Sequence, residues 1–176
     1  MLVWIDIETT GLDPYGNVML ELGLVATDND LDLVDSFHAV IAYRDDIAYE
    51  EEFIRNMHTA SGLWDECIAS TYALREAEAD ACDWMARVGG KASPMAGSTP
   101  HFDRSFLKVH MPRLEDQFHY RNADVSSMRE FARRWFPEMI EPTPIGAHRA
   151  LSDISDTLVL ARYYRAELFG KRPVSP

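Results

Sequence analysis

Leu2-Val-Trp-Ile-Asp-Ile-Glu8 is a short apolar run interrupted by two acids, and the turn residues of Thr9-Thr-Gly-Leu-Asp-Pro-Tyr-Gly16 end it. The pattern predicts a buried strand followed by a loop. Asp6 and Glu8 lie two apart, so a strand puts both side chains on one face, with Cα atoms roughly 6.5 Å apart. Burying two neighbouring carboxylates costs several kcal/mol unless cations or donors neutralise them. Either this strand serves a cation site, or it lies at a sheet edge with both acids in solvent.

Working outward, Val18 to Thr27 and Leu31 to Ala42 are rich in Val, Ile, Leu and Phe, with a hairpin-like Asp28-Asn-Asp30 between them. A three-stranded meander is expected to open the domain. From Thr71 the period changes: Leu74, Ala77, Ala81, Trp84, Met85 and Val88 fall on one helical face, and Gly89-Gly90 ends it. Pro94 to Gly97 reads as a buried strand, Asp103 to Met111 as a helix ending at Pro112, and Tyr120 to Val125 as another strand. Ser126 or Ser127 is the expected cap of a helix running to about Phe136. A last helix, about Leu151 to Leu168, places Leu151, Ile154, Leu158, Ala161 and Leu168 at core spacing. This order predicts an α/β fold with a mixed central sheet flanked by helices.

The chain has 176 residues and is 47% hydrophobic, which fits one domain over residues 1–170 and a flexible tail over 171–176. No run of eighteen apolar residues occurs and the first residues lack a basic flank, so the expectation is a cytoplasmic protein without membrane attachment. Cys67 and Cys82 have no metal-ligand spacing and read as free thiols. A net charge of −12 excludes binding of long nucleic acid by general phosphate attraction. A nucleic-acid ligand must then be short and held locally.

Two hard cations need carboxylates from several elements, because one strand cannot surround them. Asp103, after the loop Gly97-Ser-Thr-Pro-His-Phe102, and Asp153, near the start of the last helix, are the candidates; each also reads as an acid complementing a helix dipole. His148 lies five residues before Asp153 on a Gly146-Ala-His loop. It is placed to act as a base with a pKa near neutrality, or to be an ordinary loop residue.

The order Asp6-Ile-Glu8, Asp103, His148-Arg-Ala-Leu-Ser-Asp153 resembles the DEDDh group of 3′→5′ exonucleases, whose fold is ribonuclease H-like. Within that group His58-Thr-Ala-Ser-Gly-Leu63, Phe118-His-Tyr-Arg121, Asp124-Val-Ser126 and Ala132-Arg-Arg-Trp135 are similar to segments of the oligoribonucleases, over residues 2 to 169. The resemblance implies a homodimeric exoribonuclease that cuts RNA of two to five nucleotides, especially dinucleotides, to 5′-mononucleotides. It implies that Asp6, Glu8, Asp103 and Asp153 bind two Mg2+ or Mn2+ ions and that His148 is the general base.

The same resemblance implies that Leu12 wedges between two bases and that Phe53, where relatives carry Trp, stacks on one. Thr99 (Ser in the family), Arg121 and Ser126 would hold the 5′ phosphate, and Tyr120 would reach in from a partner subunit. On local pattern alone, Leu12 reads equally as turn packing, Phe53 as core, Tyr120 as a strand aromatic and Ser126 as a helix cap. Pro100 within the loop and Asn56-Met57 before His58 depart from the family pattern. Two alternatives remain: a proofreading-type exonuclease acting on single-stranded DNA, and a non-catalytic nucleotide-binding module on the same scaffold.

Overall fold

In the computed structural model, strand β1 (Leu2–Thr9) alternates as a central strand must. Val3, Ile5 and Ile7 enter one hydrophobic core, while Trp4 enters a second core on the opposite face. Asp6 and Glu8 share Trp4's face by the same period. The structure describes residues 1–43 and 52–170; the tail 171–176 lies outside the described residues.

Strands β2 (Met19–Thr27) and β3 (Leu33–Val40) form the expected antiparallel meander with β1. Strands β4 (Pro94–Gly97) and β5 (His119–Asp124) add in parallel, giving a mixed sheet of order β3-β2-β1-β4-β5. β1 is therefore the middle strand, which rules out the sheet-edge reading of its two acids. Helices α1 (Glu52–Ala60) and α2 (Leu63–Ala69) were not foreseen. They are separated by Gly62, whose left-handed φ of 75° ends the first and lets the chain turn into the second.

Helix α3 (Leu74–Arg87) matches its predicted face, with Ala77, Ala81, Trp84 and Met85 buried against Val3, Ile5 and Leu24. Helix α4 (His101–His110) begins two residues before the expected start, so Asp103 is in its first turn rather than at its head. Pro112 does end that helix's reach, yet it also starts a short helix α5 (Pro112–Glu115), where its missing N–H is no loss. Helix α6 (Val125–Trp135) is capped by Asp124, whose carboxylate accepts from the Ser126 N–H; neither Ser126 nor Ser127 is the cap. The reason is that β5 ends one residue earlier than expected, so Val125 is already helical.

Helix α7 (Ala150–Tyr164) continues as a π-helical turn over Arg165–Phe169, which accounts for the predicted reach to Leu168. It packs on Trp4, Val25 and Ala96 through Ile154, Leu158 and Ala161, covering the face that carries Asp6 and Glu8. Its N-terminus comes unusually close to β2. A Cβ on Gly23, which pairs with Asp6, would lie 2.9 Å from the Ala150 Cβ and 3.1 Å from its carbonyl carbon. Gly23→Ala is expected to lower stability by about 1–3 kcal/mol, because backbone rather than a flexible side chain must give way; urea denaturation reads it.

Candidate active site

The carboxyl ends of the parallel strands β1, β4 and β5 meet on one rim, and the candidate residues gather there. Glu8 stands one residue before the end of β1, opposite Glu21 of β2, where a bulge between Glu8 and Thr9 shifts the register. Asp103, only 4% exposed, reaches from α4 to β1, where its Oδ1 accepts from the Ile7 N–H at 3.1 Å. That bond ties the carboxylate to the backbone of β1 between Asp6 and Glu8. Asp153 stands in the first turn of α7 over the same face of the sheet, and the nearby Ala147 N–H favours its anion.

The crowding of these acids shows in their proton affinities. Burial, then the charges of Asp103, Glu8 and Asp153, pushes Asp6 up to about 10. Burial and the charge of Asp153 push Glu8 up to about 8. Burial raises Asp103 to about 7 even though the Ile7 N–H favours its anion, and Asp153 is also raised, first by burial. A cluster of this kind holds protons, or it holds cations in their place. One atom supports the second use: Asp153 Oδ1 is buried and has no hydrogen-bond partner. Ligand atoms of Glu8, Asp153 and His148 lie within 4.8 Å of one another. A donor set dominated by carboxylate oxygens fits a hard divalent cation.

His148 is exposed at the mouth of this cluster, in a left-handed conformation with φ 52° that costs a Cβ-bearing residue about 1–3 kcal/mol. It borders a cleft of about 440 Å³ whose other wall is α1, with Phe53, Asn56, Met57 and Ala60, and the Ser61 that follows it. Phe53 is 74% exposed, so it is no core residue, and the departures at Asn56 and Met57 fall on the cleft wall. Leu12 is 77% exposed, so turn packing does not explain it. Its loop is tied down by Asp13 N–H on Asn17 Oδ1, Val18 N–H on Thr10 Oγ1 and the His110 ring on the Pro14 carbonyl.

Thr99 and Ser126 are brought together at the ends of β4 and β5. Thr99 Oγ1 donates to Ser126 Oγ at 3.1 Å, and Ser126 Oγ donates to Asp124 Oδ1 at 2.6 Å. The Thr99 N–H donates to the same oxygen, holding Thr99 in a left-handed conformation with φ 63°. Burial opposes the Asp124 anion, but these hydroxyl and N–H donors outweigh it and hold the carboxyl below its ordinary range. Pro100 sits at the head of α4 without removing a needed donor; the Arg104 N–H bonds its carbonyl. Arg121 lies with its guanidinium 5.4 Å from the ring centre of Tyr120, and Tyr120 is 75% exposed at the edge of the sheet.

Three residues of the site carry no role in the sequence reading, although His58 opens one of its quoted segments and Arg149 lies inside another. His58, fully buried on α1, donates from Nε2 to the Thr9 carbonyl, and its Nδ1 lies 3.9 Å from Glu8 Oε2. Burial lowers its pKa, which favours the neutral ring in that position. Glu21 and Arg149 form the third side of the cluster. The signal for Glu21 was present: it is an acid inside the apolar run Met19-Leu-Glu-Leu-Gly-Leu-Val-Ala26.

The model of the exonuclease family RNase_T matches residues 3–161. An oligoribonuclease from Leifsonia xyli is 42% identical over 178 residues, covering 98% of this chain and 86% of its own length. An oligoribonuclease from Aeromonas hydrophila is 38% identical, covering 96% of this chain and 95% of its own. Among solved structures, the zinc-bound E. coli ExoI–ssDNA complex superposes with a TM-score of 0.71 at 14% identity. The superposition covers 96% of this chain and 42% of that one, so the chain spans less than half the length of exonuclease I and the likeness speaks for the fold.

Proposed function

The chain belongs to the RNase_T exonuclease family, among its oligoribonucleases, and from that premise we propose that it hydrolyses very short RNA from the 3′ end to 5′-mononucleotides. The observation that carries this reading is the convergence of Asp6, Glu8, Asp103 and Asp153 from β1, α4 and α7, with the unpartnered Asp153 Oδ1 among them and His148 at the mouth. These four carboxylates would hold two divalent ions, Mg2+ or Mn2+. When bound, the ions supply a water of lowered pKa and charge stabilisation for the departing 3′ oxygen.

The chain's own groups supply the rest. His148 takes the proton of the attacking water; it is exposed on the cleft with a ring nitrogen within reach of the carboxylates, the place a base beside a metal-bound water needs. Leu12, presented on a pinned loop, separates the two bases, and Phe53 gives one of them a stacking face. Thr99 and Ser126 meet the 5′ phosphate together with Arg121. A phosphate there would accept from the Thr99 hydroxyl in place of Ser126 Oγ, its present acceptor. An excess of twelve negative charges repels longer RNA, while a dinucleotide carries few phosphates into the site.

A second copy of the chain completes the reading. Tyr120 is exposed on the edge strand β5, and α6 with the π-helical turn forms an apolar groove of Phe131, Trp135, Phe136 and Phe169, the kind of surface a stable homodimer covers. Tyr120→Ala is expected to lower turnover roughly tenfold without unfolding the chain. Sedimentation is expected to give twice the 20.0 kDa chain mass, and a single-chain mass at assay concentration would remove the shared pocket. Two buried free cysteines, with no helix among the described residues long and apolar enough to cross a membrane, support action in the cytoplasm.

A length series of 5′-phosphorylated RNA from two to about ten nucleotides, run with and without Mn2+, tests the function. Turnover should be fastest on the dinucleotide and vanish with chelator. Preference for long single-stranded DNA would favour a proofreading-type enzyme, and absence of any hydrolysis a binding module.

A further inference from the structure

Glu21 is 1% exposed in the middle of an apolar strand, and both of its carboxylate oxygens accept from the start of α7. Its Oε1 accepts from His38 Nε2 at 2.6 Å and from Arg149 Nε at 3.1 Å, and its Oε2 accepts from the Ala150 N–H at 2.9 Å. Arg149 turns its other edge to α2, where Nη1 and Nη2 meet Glu66 Oε1 and Oε2 at 2.9 and 2.6 Å. Residues 149 and 150, at the start of α7, are thus gripped from β2 and α2 at once, while His38 of β3 holds Glu21 itself. Gly23 opens the space that lets α7 come this close.

The residue on one side of this grip is His148, and three residues beyond its other side is Asp153. His148 holds a left-handed backbone, which a residue with a Cβ keeps only when its surroundings enforce it. With Arg149 and Ala150 fixed, the backbone at 148 cannot relax without breaking the fork to Glu66 or the bonds to Glu21. We propose that Glu21, acting through Arg149 and the Ala150 N–H, is the positioning residue that holds His148 in its working orientation over the carboxylate cluster. The proposal rests on the reading of His148 as the base.

Glu21→Gln keeps the shape of the side chain but turns an amide N–H2 toward groups that are themselves donors, so one side of the grip is lost. With the diribonucleotide and Mn2+, kcat should fall at least tenfold while KM and the Mn2+ affinity stay within about threefold. Added to His148→Ala, the same substitution should change the residual kcat by less than twofold, because the group it positions is gone. Arg149→Lys, which keeps the charge but not the fork, should give the same split and serves if the Glu21 variant does not fold.

An equal fall of kcat in both backgrounds would reduce Glu21 to a structural cap of α7, as would an unchanged kcat. A tenfold loss of Mn2+ affinity would mean it acts on the carboxylates rather than on His148. A further readout needs neither metal nor RNA. Hydrogen exchange at the amides of Ala147 to Ala150 should quicken at least tenfold in either variant while Leu22 and Leu24 keep their protection; unchanged exchange overturns the proposal even if the chain proves to have another substrate.

Discussion

Asp6→Asn is expected to make the metal-free protein more stable while removing its activity. Asp6 carries the largest upward shift in the cluster, from burial and then from Asp103, Glu8 and Asp153, so its anion is the least tolerated charge in the fold. Asparagine keeps the shape and spares folding the cost of protonating that carboxyl at neutral pH, for a gain of about 1–3 kcal/mol in the absence of divalent ions. Calorimetric titration with Mn2+ should at the same time lose most of its heat. Turnover should drop on the order of 10³-fold, the equivalent of several kcal/mol of transition-state stabilisation. Normal metal titration by the variant would contradict the role of Asp6.

The same crowding fixes the pH dependence of the metal-free protein. Asp6, Glu8 and Asp103 are raised to about 10, 8 and 7, from ordinary values of 3.8, 4.5 and 3.8. Between the two sets of values the folded chain binds more protons than the unfolded one, so stability falls as pH rises through that window. With chelator present, Tm should decline from pH 5 to pH 8. The increase of Tm on adding Mn2+ should grow over the same range, since the ions bind the deprotonated acids.

His148→Ala should lower kcat by about 10²–10⁴-fold, the usual contribution of a general base, and leave both Mn2+ binding and dinucleotide binding intact. The distinction matters here because His148 shares a 4.8 Å cluster with Glu8 and Asp153 and could be mistaken for a ligand. Loss of metal affinity in the variant would make it one. Turnover within about twofold of the parent would remove it from the chemistry altogether.

Much of this arrangement was legible in the sequence because it obeys local periodicities. The period of two on β1 puts Trp4, Asp6 and Glu8 on one face, and the motif order brings in Asp103 and Asp153 although their helices begin elsewhere than expected. Capping was harder, since Asp124, Ser126 and Ser127 are all competent caps and the choice depends on where β5 stops. Helices α1 and α2 were missed because each is short, and their buried residues, Ile54 with His58 and Leu63 with Cys67, give only one i, i+4 pair per helix.

Glu21 could be seen as an oddity in an apolar strand, but its meaning lies in Arg149 and Ala150, about 130 residues away in the chain. Such a partner leaves no mark in local pattern. The exposure of Leu12, Phe53 and Tyr120 is a property of the folded surface too, and it separates their proposed contacts with bases and with a partner subunit from ordinary packing.

Anomalous diffraction from crystals soaked in Mn2+ and a non-hydrolysable dinucleotide puts the whole account at risk in one experiment. Two peaks about 3.5–4 Å apart are expected among Asp6, Glu8, Asp103 and Asp153, with the His148 ring beside them but not coordinating. No peak at this rim, or one ion held by His148 in place of Asp6 and Asp103, would contradict it.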